Sequence, residues 1–234
     1  MNSTANSFFP DHATCGFKKD AGYWEIDLGS PEIASAAFLN ELTIKMVENY
    51  LKAFSFLCRP VELRYDLMTL AEPGKPTLTK EGEVLHVATL ETPELIQALK
   101  NIVNSPTQWF FSTLFLDCDL LVFIPNTENI ENPTWLPIAG QFYIGHVMEP
   151  DDNDRLIPVD CGLSFDTMTD VWVSETLSPT STQQDNRICA AKNQPLLESA
   201  LRALEAFAGK PIVDWGSRYY HEQIYKYGFH DQMR

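Results

Sequence analysis

The stretch Thr107–Pro125, TQWFFSTLFLDCDLLVFIP, is the most apolar run of the chain, and the rest is read from it. Its density of aromatic and β-branched residues, closed by Pro106 and Pro125, predicts sheet interior rather than helix. Ser112, Asp117 and Asp119 interrupt it well short of the roughly 20 apolar residues that a membrane-spanning helix needs. Two geometries fit. In the first, Asp117-Cys118-Asp119 is a turn between two antiparallel strands, Trp109–Leu116 and Leu120–Ile124; this is the expectation carried forward. In the second, the strand runs straight through and its period of two sets both carboxylates on one face. Carboxylates side by side on an apolar sheet repel and resist ionisation unless a cation or several donors sit between them. In either geometry Trp109, Phe111, Phe115, Leu120, Val122 and Ile124 are expected in the core.

Before this stretch, Tyr23–Leu28 predicts a short edge strand. Ser30-Pro31-Glu32 predicts a helix start, with a hydroxyl cap, proline in the first turn and a carboxylate near the positive end of the dipole. Ile33, Ala37, Ile44, Val47, Leu51 and Phe54 follow at helical spacing, to about Leu57. Val61, Leu63, Tyr65 and Leu67 alternate with charged residues as in a half-buried strand, with Glu83–Leu90 as its partner. A second helix starts at Thr92-Pro93-Glu94 and stops before Pro106. After the central stretch, Trp135–Met148 predicts one strand or two, with Gly140 and Gly145 at a bend. Leu156–Cys161 and Val171–Glu175 predict further strands. Ser178–Gln194 reads as a polar connection, and Pro195 as the start of a third helix that Gly209 ends. In WGSRYYHEQIYKYGFHDQ, Tyr220, Ile224 and Tyr227 are expected to face the core from a terminal helix. This order predicts one α+β domain: a mixed or mainly antiparallel central sheet with helices packed on one side. The expected parts are a loosely ordered segment over 1–22, the core domain over 23–210 and a docked aromatic segment over 211–234.

The 234 residues carry a net charge of −15, unevenly spread. Residues 126–190 hold 11 acids against 2 bases, whereas 191–234 hold 5 against 6. Such a field opposes binding to nucleic acid or an anionic membrane and favours a basic partner. The start of the chain has no apolar block of the kind a secretory signal requires, so the expectation is a cytoplasmic protein. Cys15, Cys58, Cys118, Cys161 and Cys189 are odd in number and without a C-x-x-C pair, which predicts reduced thiols rather than a disulfide framework or a cysteine zinc site.

Candidate chemistry centres on Asp117-x-Asp119. LDCDLLVF resembles the metal-binding strand of polymerase-β-type nucleotidyltransferases. That resemblance implies Mg²⁺ held by Asp117 and Asp119, with Asp160 of LIPVDCG as a third carboxylate. The Gly-Ser pair that cradles phosphate in that family has no counterpart in QWFFSTLF. FLDCDLLV is also similar to the nucleophile strand of haloacid-dehalogenase-like phosphatases. The five residues Trp135–Ala139, WLPIA, resemble a phrase of SMI1/KNR4-type immunity proteins, although the surrounding glycines of that family are missing. Neither the histidines nor any G-x-S-x-G elbow supports metal or nucleophile chemistry elsewhere.

The functional expectation is a non-enzymatic acidic binding protein without cofactor. It would block a basic protein partner, most concretely as an immunity or antitoxin-type inhibitor of a toxin or nuclease. The expected partner-binding residues are Glu149, Asp151, Asp152, Asp154, Asp166 and Asp170 in the acidic interval, with Trp215, Tyr219 and Tyr225 in the aromatic tail. The tail is also a possible homodimer surface. The alternative is a Mg²⁺-dependent nucleotidyl or phosphoryl transferase that uses Asp117, Asp119 and Asp160.

Overall fold

The computed structural model describes residues 17–30, 35–69, 77–104, 109–124, 132–150, 156–177 and 183–230. The central stretch is one unbroken strand, β4 (Trp109–Val122), and not a hairpin. The expected turn fails because residues 117–119 include no glycine or asparagine to take a left-handed turn conformation. Two arginines on the neighbouring strand remove the need to turn the carboxylates out.

The sheet is antiparallel throughout, in the order β3 (Thr77–His86), β2 (Cys58–Thr69), β4, β5 (Thr134–Pro150), β6 (Leu156–Thr169), β1 (Phe17–Asp27) and β9 (Asp214–Gly216). β1 starts at Phe17, within the stretch expected to be loosely ordered. It is not an edge strand, because β9 pairs alongside it. β5 is a single strand of 17 residues. β6 runs to Thr169, beyond the expected Cys161.

The three helices pack on the sheet and close the core. α1 (Ala36–Ala53) is capped by Ser35, whose hydroxyl accepts from the Phe38 N–H at 3.2 Å, so the helix begins later than Ser30-Pro31-Glu32 suggests. Ala36 rather than Ala37 is buried. α2 (Thr92–Val103) carries a capping box of Glu91 and Glu94. α3 (Arg187–Ala208) starts eight residues before Pro195, which sits inside it, and ends at Gly209 with φ 68. The polar residues that hid its first turns are buried. Asn186 donates to the carbonyls of Val171 and Val173, and Asn193 to those of Phe123 and Val171. Val171–Val173 is a buried turn rather than a strand; the short pair β7 (Glu175–Leu177) and β8 (Gln183–Asp185) follows it. The tail forms β9 and a small hairpin, β10 (Ile224–Tyr225) with β11 (Gly228–Phe229), with no helix among its described residues. Tyr220, Ile224 and Phe229 still reach the core, and Tyr227 is partly buried against it.

One cross-strand row shows how the core is made. Leu63, Leu116, Phe142, Phe165 and Trp24 stand opposite one another on five successive strands, all fully buried. Tyr50 of α1 stacks on Phe142 at 4.3 Å, and Phe54 packs on Phe165 at 4.5 Å. Of the expected core residues, Phe111, Leu120 and Val122 are buried, while Trp109, Phe115 and Ile124 are only half-buried. Phe115 belongs to the opposite face. The four described cysteines are all buried and none is in a disulfide. No helix among the described residues is long and apolar enough to cross a membrane.

Candidate functional site on the open face of the sheet

The period of two that sends Leu114, Leu116, Cys118 and Leu120 toward the helices sends Thr113, Phe115, Asp117 and Asp119 the other way. The strand registers order that second face into rows. Glu62, Asp117, Gln141, Asp166, Tyr23 and Gly216 form one row. Arg64, Phe115, Tyr143, Ser164, Glu25 and Asp214 form the next. Asp66, Thr113, Gly145, Gly162 and Asp27 form the third. This face is basic and acidic at its β2–β4 side and acidic at its β6–β1–β9 side.

On the β2–β4 side the two aspartates of the D-x-D are satisfied within the protein. Asp117 accepts two bonds from Arg64, at 2.9 and 3.1 Å, and one from Gln141 at 2.6 Å. Asp119 accepts from Arg59 at 2.5 Å and from the Ile138 N–H at 3.0 Å. Both are only 7% exposed. Charge-assisted hydrogen bonds from arginine to nearly buried carboxylates are strong, so a metal ion would have to displace two guanidinium groups. Asp160 does not join the pair. It faces Val147, six positions along β5 from Gln141, which puts it about 20 Å away along the sheet. The described residues include no group of three or more histidine, cysteine or acidic side chains arranged to hold a metal ion.

The β6–β1–β9 side is different. Glu25, Asp27, Asp160 and Asp214 lie on adjacent strands of the open face, with Asp166 a row beyond. Among the described residues no cation pairs with Glu25, Asp27, Asp160 or Asp214. Their contacts are to neutral donors: the Gly29 N–H to Asp27, the Cys161 N–H to Asp160, and the Tyr23 hydroxyl to Asp214 at 3.2 Å. Partial burial, and then the neighbouring charges of Asp214, Asp160 and Asp27, raise the carboxyl of Glu25 above its ordinary range. Aromatic rings lie between the two sides and at the β9 edge. Phe115 and Tyr143 lie 4.9 Å apart, and Tyr23 lies over Gly216, where a Cβ would fall 2.7 Å from the ring. Beside them a groove of about 650 Å³ runs between Tyr23, Asp166, Trp215, Arg218 and His221.

The residues named from sequence separate on this map. Asp166 and Trp215 meet at the groove, and Tyr219, exposed, follows in the same loop. Glu149 is exposed at the far end of β5. Asp151, Asp152 and Asp154 lie outside the described residues. Asp170 is not on the surface: it is fully buried and accepts from the Tyr220 hydroxyl at 2.8 Å. Tyr225 stands against α3, its hydroxyl 3.5 Å from Glu198 and its ring stacked on His230. Sequence reasoning missed Glu25, Asp27 and Asp214. The alternation of Tyr23, Glu25 and Asp27 with Trp24, Ile26 and Leu28 was the signal for the first two; Asp214 carried none, because nothing in sequence places it beside Glu25. In comparisons with known proteins, no family model, no curated sequence and no solved structure matches this chain.

Proposed function

We propose that this α+β protein is a non-enzymatic binding protein whose open sheet face engages and blocks a basic protein, in its most concrete form as an immunity or antitoxin-type inhibitor. The observation that carries the reading is the set Glu25, Asp27, Asp160 and Asp214, gathered on the sheet face that no described helix covers and, among the described residues, unpaired with any cation. Crowding carboxylates costs stability, and the crowding is relieved when a positively charged partner docks. The satisfied state of Asp117 and Asp119 supports the same reading over metal-dependent transfer chemistry.

The test uses a lysine–serine peptide as a defined cationic probe, titrated into the whole protein at low and at moderate salt. Binding is expected to weaken as salt rises and to fall at least fivefold at low salt in the triple variant Glu25→Gln, Asp160→Asn, Asp214→Asn. Equal affinity of wild type and variant would remove the acidic face as the binding surface. The inhibitor form is checked separately. A basic nuclease encoded beside this gene should lose activity on mixing with the protein, and an unaffected nuclease would count against that form.

A further inference from the structure

At the junction of β4 and β5 the register slips. Cys118 faces Gly140 and Leu120 faces Leu136, so residues 137–139 of β5 stand against Asp119 alone. Within this arch Ile138 takes φ 48, a left-handed backbone that a β-branched residue adopts only under constraint. The constraint is visible. The Ile138 N–H donates to one oxygen of Asp119, the other oxygen is held by Arg59, and the Arg59 guanidinium lies 4.7 Å over the ring of Trp135.

What the strain produces is exposure of apolar surface. Leu136 and Ala139 point into the core, whereas Ile138 is 50% and Trp135 38% exposed, with Pro137 exposed between them. Glycine would take this backbone without steric strain, so the isoleucine carries a local cost here while presenting its side chain to solvent. The arch also has a defined neighbourhood. Ile138 is three residues from Gln141, which stands between Asp117 and Asp166. Asp166 in turn faces Tyr23, at the groove that Trp215 lines.

We propose that Trp135, Pro137 and Ile138 form the apolar anchor of the partner-binding face. They would receive an aliphatic or aromatic side chain of the same basic protein whose cations cover the acids of β6, β1 and β9. This rests on the reading of the acidic face given above, and charge complementarity identifies the occupant. Interfaces commonly place a desolvated apolar or aromatic contact beside a charged periphery, and the apolar contact carries most of the affinity. On this proposal the D-x-D is a positioning device: Asp119 holds the arch, and Arg59 holds Trp135.

Two peptides of equal length and charge separate the contributions, one of lysine and serine and one of lysine and leucine, each titrated into the whole protein and followed by calorimetry. The lysine–leucine peptide should bind wild type at least tenfold more tightly. Trp135→Ala and Ile138→Gly should each bring it near the lysine–serine value and leave lysine–serine binding unchanged. Ile138→Gly should melt no lower than wild type, which distinguishes a lost contact from a lost fold. Equal affinity of the two peptides for wild type, or a leucine preference that survives both variants, overturns the anchor. A leucine preference that Trp135→Ala abolishes, but that is insensitive to salt and to the triple acid variant, supports the arch and overturns the acidic-face reading. Failure of both peptides to bind wild type at low salt overturns both.

Discussion

The two faces of the sheet are made from alternate residues of the same strands, yet they are built on different principles. On the helix-covered face of β4 every side chain from Leu114 to Val122 is apolar and fully buried, and one hydrophobic residue would serve much as another of similar volume. On the open face the same strand offers Thr113, Phe115, Asp117, Asp119 and Leu121, each with a particular partner: Asp66, Tyr143, Arg64, Arg59 and, across the strand, Trp135. Burial organises the first face, and directional pairing organises the second. The covered face specifies that the chain folds. The open face has paired acids on one side and crowded acids on the other, and on the reading proposed above it is the surface a partner would meet.

The largest test of this contrast is in the core. Leu116→Ala should cost about 2–5 kcal/mol, as deletions of fully buried leucine side chains do. Phe115→Ala, one residue away, should cost about 1–2 kcal/mol despite the larger side chain, because its ring is only partly buried on the open face. Urea denaturation of both variants checks this, and equal losses would mean that the open face is covered in solution.

The covered face also holds a buried histidine. His146 is buried beneath α1, with Nε2 3.0 Å from the Thr43 hydroxyl and Nδ1 without a partner, and burial pushes its pKa down to about 4 from an ordinary 6.5. A group whose folded pKa is depressed in this way stays neutral when folded and gains a proton when unfolded. Its contribution is therefore complete above pH 6.5 and is lost as pH falls from 6.5 toward 4. The loss should be on the order of 2–3 kcal/mol across that window, and His146→Gln should flatten it. The comparison is denaturation of wild type and variant at pH 7 and pH 4.5, and an unchanged slope in the variant would remove His146 as the cause.

The smallest effect expected is on the open face. Asp117→Asn should cost about 1–2 kcal/mol, since Arg64 is half exposed and can recover water while Gln141 keeps a partner. Added Mg²⁺ should leave the melting temperature of wild type unchanged, because both aspartates are already occupied. A Mg²⁺-dependent rise that disappears in Asp117→Asn would reverse the assignment of the pair and bring back the transferase alternative.

Much of this fold is legible in the amino-acid sequence, because burial imposes a period that local pattern reveals. The α+β order, the central stretch as sheet interior, α2 with its proline in the first turn, and the end of α3 at Gly209 all follow from apolar spacing and end signals, although the cap of α2 is Glu91 and not the hydroxyl of Thr92. Where polar residues are buried, pattern misleads. Asn186 and Asn193 made the first turns of α3 look like a loop, and Pro195 looked like a beginning, because their value lies in backbone groups of distant segments. The same holds for the site. An acidic protein with a D-x-D can be read from the sequence. Whether those two carboxylates bind a metal or two arginines depends on which strand lies alongside, and sequence carries no trace of that pairing. Glu25 and Asp214 are 189 positions apart and meet only because β9 returns to the edge of β1. Alternation is a local property of one strand and can be read from it, whereas the neighbour across a sheet is a property of register between strands, which only the tertiary structure decides.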